Sequence, residues 1–292
     1  MRTLDEFYEK YPLSKYTLHT GKEFVYRYYR NAKASQTIVL LTGGIGLSDL
    51  FYLHFEEFAK DFSVMTFDYQ LAFQNNDEFA DAVAELLNML HIKAWLAGQS
   101  LGGIVAQIIA KKHPEVVEGM ALSNTCSLSA NMSKEAYDHA MGMIESEKKA
   151  KKMLNFIPFS LFKKMMKSAV MKKKTGGFTA EEKELMEGLC DAMLRLLTKE
   201  YEMHMCDFLI DTQNHFGMVK DDFAFVENKA LLILSEDDDT FNQPCKDSLI
   251  EIMTKPTVIT NITGGHLALL VKLEKYAAAV RNYILRTEQE TG

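Results

Sequence analysis

The chain has 292 residues, more than an average domain of about 150 but within the roughly 250–300 that one α/β unit can reach. Its 47% apolar and 25% charged content excludes disordered, collagen-like and low-complexity polymers, and a chain of this length builds a core without disulfides or metals. With 33 Lys and Arg against 40 Asp and Glu, a net charge of −7 argues against nucleic acid as the main partner, because phosphate binding needs a cationic face.

The N-terminal Met-Arg-Thr-Leu-Asp-Glu is charged at once and develops no apolar h-region. No run of about 18 apolar residues follows, so neither a secretory signal nor a membrane insertion is expected. Cys126, Cys190, Cys206 and Cys245 form no CxxC pair and no Cys/His cluster, which reads as free thiols of a cytoplasmic protein.

Glu23–Tyr29 alternates as a strand does, and the Thr37–Leu41 run (TIVLL) is continuously apolar up to Thr42-Gly43-Gly44, as suits a strand buried on both faces. Ser48 is the predicted N-cap of a helix over 49–60, followed by a strand over 62–67 that stops at Asp68. Residues 77–91 place Phe79, Val83, Leu86, Leu87 and Leu90 at helical spacing. A short strand over 95–97, a helix over Leu101–Lys112 closed by His113-Pro114, and a strand over 116–122 follow.

This rhythm predicts a mostly parallel, doubly wound sheet of about eight strands with helices on both faces. It stops near Cys126 and resumes with strands over 230–234 and 257–262 and a final helix over 267–286. Between lies only helical periodicity, broken at Pro158 and Gly176-Gly177. The predicted division is a core of 1–126 and 223–292 carrying an all-helical cap, 127–222. The insertion holds 12 of the 17 methionines, and residues 134–174 carry 11 Lys against 4 acids. Those lysines do not share one helix face, so a solvated surface is the expectation, while Phe156, Phe159, Phe162, Met165 and Met166 are candidates for an adaptable acyl pocket.

Gly98-Gln99-Ser100-Leu101-Gly102 is a G-x-S-x-G between a predicted strand and a predicted helix. A sharp strand-to-helix turn lifts the serine oxygen above the sheet, and the helix N-terminus offers unpaired N–H groups and partial positive charge. Serine is a weak nucleophile at its ordinary pKa, so it needs a base, and the base needs an orienting group. His266, after Gly264-Gly265, is the one histidine beyond the 230–234 strand, and that strand runs into Ser235-Glu236-Asp237-Asp238-Asp239. The order Ser, Asp, His suits a triad at the carboxyl ends of such a sheet.

On these motifs the chain resembles the α/β-hydrolase fold family of serine hydrolases, with a helical cap between core strands six and seven. The resemblance covers nearly the whole chain. It implies Ser100 as nucleophile, His266 as base, and the acid three residues beyond the end of strand seven, which is Asp238, with Asp237 and Asp239 open. It places the oxyanion donors on the Leu101 amide and on the loop after strand three, where Thr42-Gly43-Gly44 replaces the usual His-Gly-x; the second donor falls on Gly44, with Ile45 as alternative. Asp68 reads as a loop anchor, and His54 and Asp49 as either pocket lining or an ordinary helix face. The implied function is hydrolysis of an ester, thioester or similarly activated acyl bond of a small, largely apolar substrate through an acyl-enzyme, with no metal or organic cofactor. Aminopeptidase or carbon–carbon hydrolase chemistry on the same residues, or a ligand-binding protein of the same fold, are the rival readings.

Overall fold

The apolar runs of the sequence become the centre of an eight-stranded sheet, described in a computed structural model of residues 3–173 and 178–291. Lys174 and the expected break at Gly176-Gly177 lie outside the described residues. The strands are β1 (Leu13–Thr17), β2 (Glu23–Tyr29), β3 (Thr37–Leu41), β4 (Ser63–Thr66), β5 (Ala94–Gln99), β6 (Val117–Ser123), β7 (Ala230–Ile233) and β8 (Thr257–Ile259), in the order β1-β2-β4-β3-β5-β6-β7-β8. β2 pairs antiparallel with β1 and β4, and every later pair is parallel. Strand order reverses between β3 and β5, and the crevice beyond the carboxyl ends of two such strands is where ligands bind in open α/β sheets.

The helices are α1 (Leu4–Lys10), α2 (Tyr52–Phe58), α3 (Asn76–Met89), α4 (Leu101–Lys112), α5 (Lys134–Leu154), α6 (Phe159–Lys173), α7 (Ala180–Leu196), α8 (Lys199–Asp211), α9 (Gln243–Ile252), α10 (Ala268–Val271) and α11 (Leu273–Thr291). Side chains alternate across the pleat, so β3 sends Val39 and Leu41 to one core and Ile38 and Leu40 to the other. The first core packs against α3, α4 and α9, and the second against α1, α2 and α11. The stretch between β6 and β7 is helical, holding α5 to α8 and short 3-10 turns. Among the described residues, no helix is long and apolar enough to cross a membrane.

Three local differences from the sequence reading have physical causes. The helix expected over 49–60 begins as a 3-10 turn, Ser48–Phe51, and Ser48 does not cap it; its hydroxyl donates to Asp68 at 2.6 Å instead. The helix expected over 267–286 is two, α10 and α11, interrupted at Lys272. The third is β1, an edge strand with four of its five residues exposed, which offers no apolar run to read.

Candidate active site

β5 delivers Ser100 to the carboxyl edge of the sheet in a backbone conformation of φ +54°, ψ −120°. This left-handed geometry is uncommon for a residue with a side chain and is held by its surroundings. The Ser100 amide donates to the Ser123 carbonyl at 3.0 Å, and the Ser100 carbonyl accepts from Gly103 N at 2.9 Å and Thr125 Oγ1 at 2.7 Å. The flanking glycines are required by contact: a Cβ on Gly98 would fall on the Gly102 backbone, and one on Gly102 would fall on Leu41 O. The same turn starts α4, so Leu101 stands at a helix N-terminus where amides lack intrahelical partners.

The 3-10 turn after Gly264 brings His266 over this elbow. His266 Nε2 lies 3.0 Å from Ser100 Oγ, and His266 Nδ1 lies 3.1 Å from Asp238 Oδ2. A carboxylate only accepts, so the proton sits on Nδ1 and leaves the Nε2 lone pair toward the serine. Burial raises the Asp238 acid, but the His266 hydrogen bond and charge, the Thr240 amide and the Lys246 charge outweigh it and hold the carboxyl below its ordinary range. Asp238 Oδ1 accepts from Thr240 N at 2.8 Å, while buried Lys246 donates to the carbonyls of Ser235 at 2.7 Å and Asp238 at 3.1 Å. Asp237 does different work: its Oδ2 accepts from Gly264 N at 2.8 Å and steadies the histidine loop. Asp239 is exposed.

Two neutral amides, at positions the motif leaves open, hold the loops of Ser100, Ser235 and His266 together. Asn124, at the end of β6 with φ +40°, donates to Ser235 Oγ, Gly265 O and His266 O at 3.0, 3.0 and 3.2 Å and accepts from Ser235 N at 2.8 Å. Gln99 Nε2 lies 3.3 Å from His266 O and 3.2 Å from His266 Nε2. Since the carbonyl can only accept, the amide nitrogen faces the ring. Their only sequence signal is position, at the carboxyl ends of β6 and β5.

The loop after β3 lies against the serine, with Gly43 close enough that a Cβ there would stand 3.3 Å from Ser100 Cβ. Asp68 pins this loop by accepting from Ser48 N at 2.7 Å as well as from its hydroxyl, in keeping with a loop anchor. Tyr69 Oη donates to Thr42 O at 2.7 Å, and Tyr201 Oη from α8 donates to Gly46 O at 2.8 Å. Among the described residues, the amides of Gly44 and Leu101 donate to no protein acceptor. His54 is placed elsewhere: it is buried against Phe51 and Tyr276, hydrogen-bonds Leu269 O at 3.1 Å, and burial pushes its pKa down to about 4. Asp49 accepts from Tyr8 Oη at 2.6 Å and does not line the cavity.

A cavity of about 50 Å³ opens at Ser100 and Leu101, walled by Ile104, Leu128, Met143, Ile144, Leu209 and Phe241, with Glu147 among its lining. Phe241 also packs on the His266 ring at 5.6 Å between centroids. The pocket side chains expected from the cap sequence are not these. Phe162 packs with Leu154 and Cys206 in a small cluster, Phe159 and Met166 bridge that cluster and the larger core, Phe156 is 86% exposed, and Met165 is also exposed. α5 and α8 displace them because their apolar stripes, not α6, face the serine. A wider open groove between α1 and α7 includes neither Ser100 nor His266.

No protein-family model matches the sequence. No curated protein matches it either. Solved structures do. A hydrolase from Pseudomonas aeruginosa aligns with a TM-score of 0.70 at 16% identity, covering 94% of this chain and 98% of that one. An α/β-hydrolase enzyme from a Medee basin deep-sea metagenome library aligns with a TM-score of 0.70 at 17% identity, covering 93% and 97%. MenH from S. aureus aligns with a TM-score of 0.71 at 19% identity, covering 90% and 98%. Likeness of this extent, over a sheet with this strand order and a helical insertion after β6, establishes that the chain has the α/β-hydrolase fold.

Proposed function

We propose that the protein is a serine hydrolase that cleaves an ester, thioester or similarly activated acyl bond of a small substrate through an acyl-enzyme. The observation that carries this reading is the chain of contacts Ser100 Oγ to His266 Nε2 at 3.0 Å and His266 Nδ1 to Asp238 Oδ2 at 3.1 Å. In it, Ser100 attacks the acyl carbonyl as its proton passes to His266 Nε2. Asp238 keeps the imidazole in the right tautomer and stabilises its charged form. The amides of Gly44 and Leu101 receive the developing oxyanion, each worth about 10²–10³ in rate. His266 then returns the proton to the leaving group, and water attacks the acyl-enzyme with the same base.

The small, mainly apolar cavity at Ser100 supports a compact acyl group, and the hydrolases among the structural neighbours favour the same chemistry. The test is labelling by a fluorophosphonate together with hydrolysis of short p-nitrophenyl esters. We expect Ser100 to be labelled and esters to turn over repeatedly, with both lost in Ser100→Ala. Saturable ligand binding without labelling or sustained product release would replace this reading with that of a binding protein.

A further inference from the structure

Beyond Ser100 itself, the lining of the Ser100 cavity is polar only at Thr212, whose hydroxyl already donates to Leu209 O at 2.6 Å, and at Glu147, its one charged group. On α5, Ala140, Met143, Ile144 and Glu147 follow at spacings of three, four and seven and line the cavity together, which sets Glu147 about 10 Å along the helix axis from Ala140. Among the described residues its carboxyl has one hydrogen-bond partner, the Cys206 thiol at 3.9 Å, a weak donor. One turn before Cys206 on α8 stands Glu202, only 7% exposed, with Oε2 lacking any partner among the described residues. Burial raises the acids of both residues, and the Glu147 charge adds to the effect at Glu202, so the two carboxyls lie within electrostatic range. Among the described residues no Lys, Arg or His pairs with either: nearby Lys148 is engaged by Glu145 and Lys151 by Asp207.

Other buried acids in this chain have partners, Asp238 in His266 and Asp68 in Ser48. A carboxyl at an apolar wall with no donor stronger than a thiol costs free energy unless something else supplies one. The ligand with the matching chemistry is a protonated primary amine. It brings three N–H donors and one positive charge, which lets adjacent carboxyls ionise, whereas a hydroxyl donates once and neutralises nothing. We propose that the acyl pocket accepts an acyl chain ending in a primary ammonium group, which Glu147 receives with Glu202 behind it. The scissile carbonyl then sits at Ser100 and the ammonium at the far end of the α5 stripe. This assignment of substrate class rests on the hydrolase reading for its carbonyl end, but its ammonium end can be tested separately.

The test is calorimetric titration at pH 8 of n-alkylammonium ions of three to six carbons, against n-alkanols of the same lengths, into the wild type, Ser100→Ala and Glu147→Gln. We expect saturable ammonium binding to the wild type and to Ser100→Ala, about ten-fold or more tighter than the matched alkanol and weakened about ten-fold or more in Glu147→Gln. Equal binding of amine and alkanol to the wild type overturns the proposal, whether or not the variant folds. Unchanged ammonium binding by a folded Glu147→Gln overturns it too. The two readings fail separately. Glu147-dependent ammonium binding without fluorophosphonate labelling of Ser100 removes the hydrolase and keeps the pocket assignment, while labelling without ammonium preference does the reverse.

Discussion

At the scale of single residues, the same element of chemistry, a buried carboxyl, is pushed in opposite directions at two places. Asp238 is held low because His266, the Thr240 amide and Lys246 surround it, so it stays ionised wherever the protein is folded at neutral pH. Glu202 is raised to about 7, by burial first and by Glu147 on α5 second. The charged group acting on it is Glu147 across the seam; the Cys206 thiol lies one turn on along its own helix, and Asp207, which acts on that thiol, is paired with Lys151. A carboxyl whose folded pKa lies above its unfolded value weakens the fold as pH rises between the two. Glu202 therefore costs stability progressively from about pH 4.5 to about 7, up to about 3 kcal/mol for such a shift. Glu202→Gln should match the wild type in melting temperature near pH 4 and exceed it by several degrees at pH 8, measured by calorimetry in the absence of ligand. A difference independent of pH would contradict the assignment. None of this was legible in the sequence, where Glu202 is one acid among 40. That Ser100, His266 and the three-aspartate run meet was legible, because a hydroxyl, an imidazole and a carboxylate at strand ends in this order carry a pattern. Asn124 and Gln99 were not, because a neutral amide that positions others has no motif of its own.

At the scale of elements, the turn from β5 into α4 combines strain and close contact. Ser100 holds a positive φ; Gly98 lets β5 meet the start of α4, and Gly102 lets α4 meet the end of β3, each more closely than a methyl group allows. Gly102→Ala would drive a methyl group into Leu41 O, a backbone atom that cannot move without shifting β3. Overpacking of this kind costs about 1–3 kcal/mol. We expect a lower urea midpoint and ester hydrolysis reduced more than the folded fraction is, because β3 carries the Gly43-Gly44 loop. Wild-type stability in that variant would show that the elbow has slack. Sequence resolves the central elements well for the same reason that they are rigid: β3 and β5 are buried along their whole length and β6 everywhere but Glu118, so apolar residues dominate their runs. It fails at the margins. β1 is an exposed edge, and α1 is seven residues long, with a Thr3–Glu6 capping box as its main signal. Ser48 looks like a helix cap because serine caps helices, but the Asp68 carboxylate is the better acceptor for its hydroxyl.

At the scale of the whole molecule, the pocket exists only because the helices after β6 are seated on the sheet. Periodicity is enough to see that an insertion of helices follows β6, but not which stripe of which helix faces the serine, since lysines and methionines recur on several faces. The seat is built from specific polar contacts. Tyr201 reaches the loop after β3, and His139 on α5 donates to Thr240 O at 2.7 Å beside the acid loop. The strongest clamp joins α8 to α3. Buried Asn76 donates through its backbone N to Asp211 Oδ2 at 2.8 Å, and through Nδ2 to the same oxygen at 2.9 Å and to Phe208 O at 2.9 Å. Burial works against the Asp211 charge, but His215, Asn76 and Asn214 hold its carboxyl far below the ordinary range. Asp211→Ala leaves the Asn76 backbone N–H without its acceptor and Nδ2 with Phe208 O alone, at about 1–3 kcal/mol for a buried group left unpaired. Because Leu209 and Thr212 on either side of Asp211 line the cavity, the pocket wall should loosen before the Ser100–His266–Asp238 contacts do. The expected signature is a raised KM for short esters with kcat changed much less, unaltered fluorophosphonate labelling of Ser100, and a lower urea midpoint. A fall in kcat with KM unchanged would mean instead that this clamp positions the reacting groups rather than the wall that holds the acyl chain.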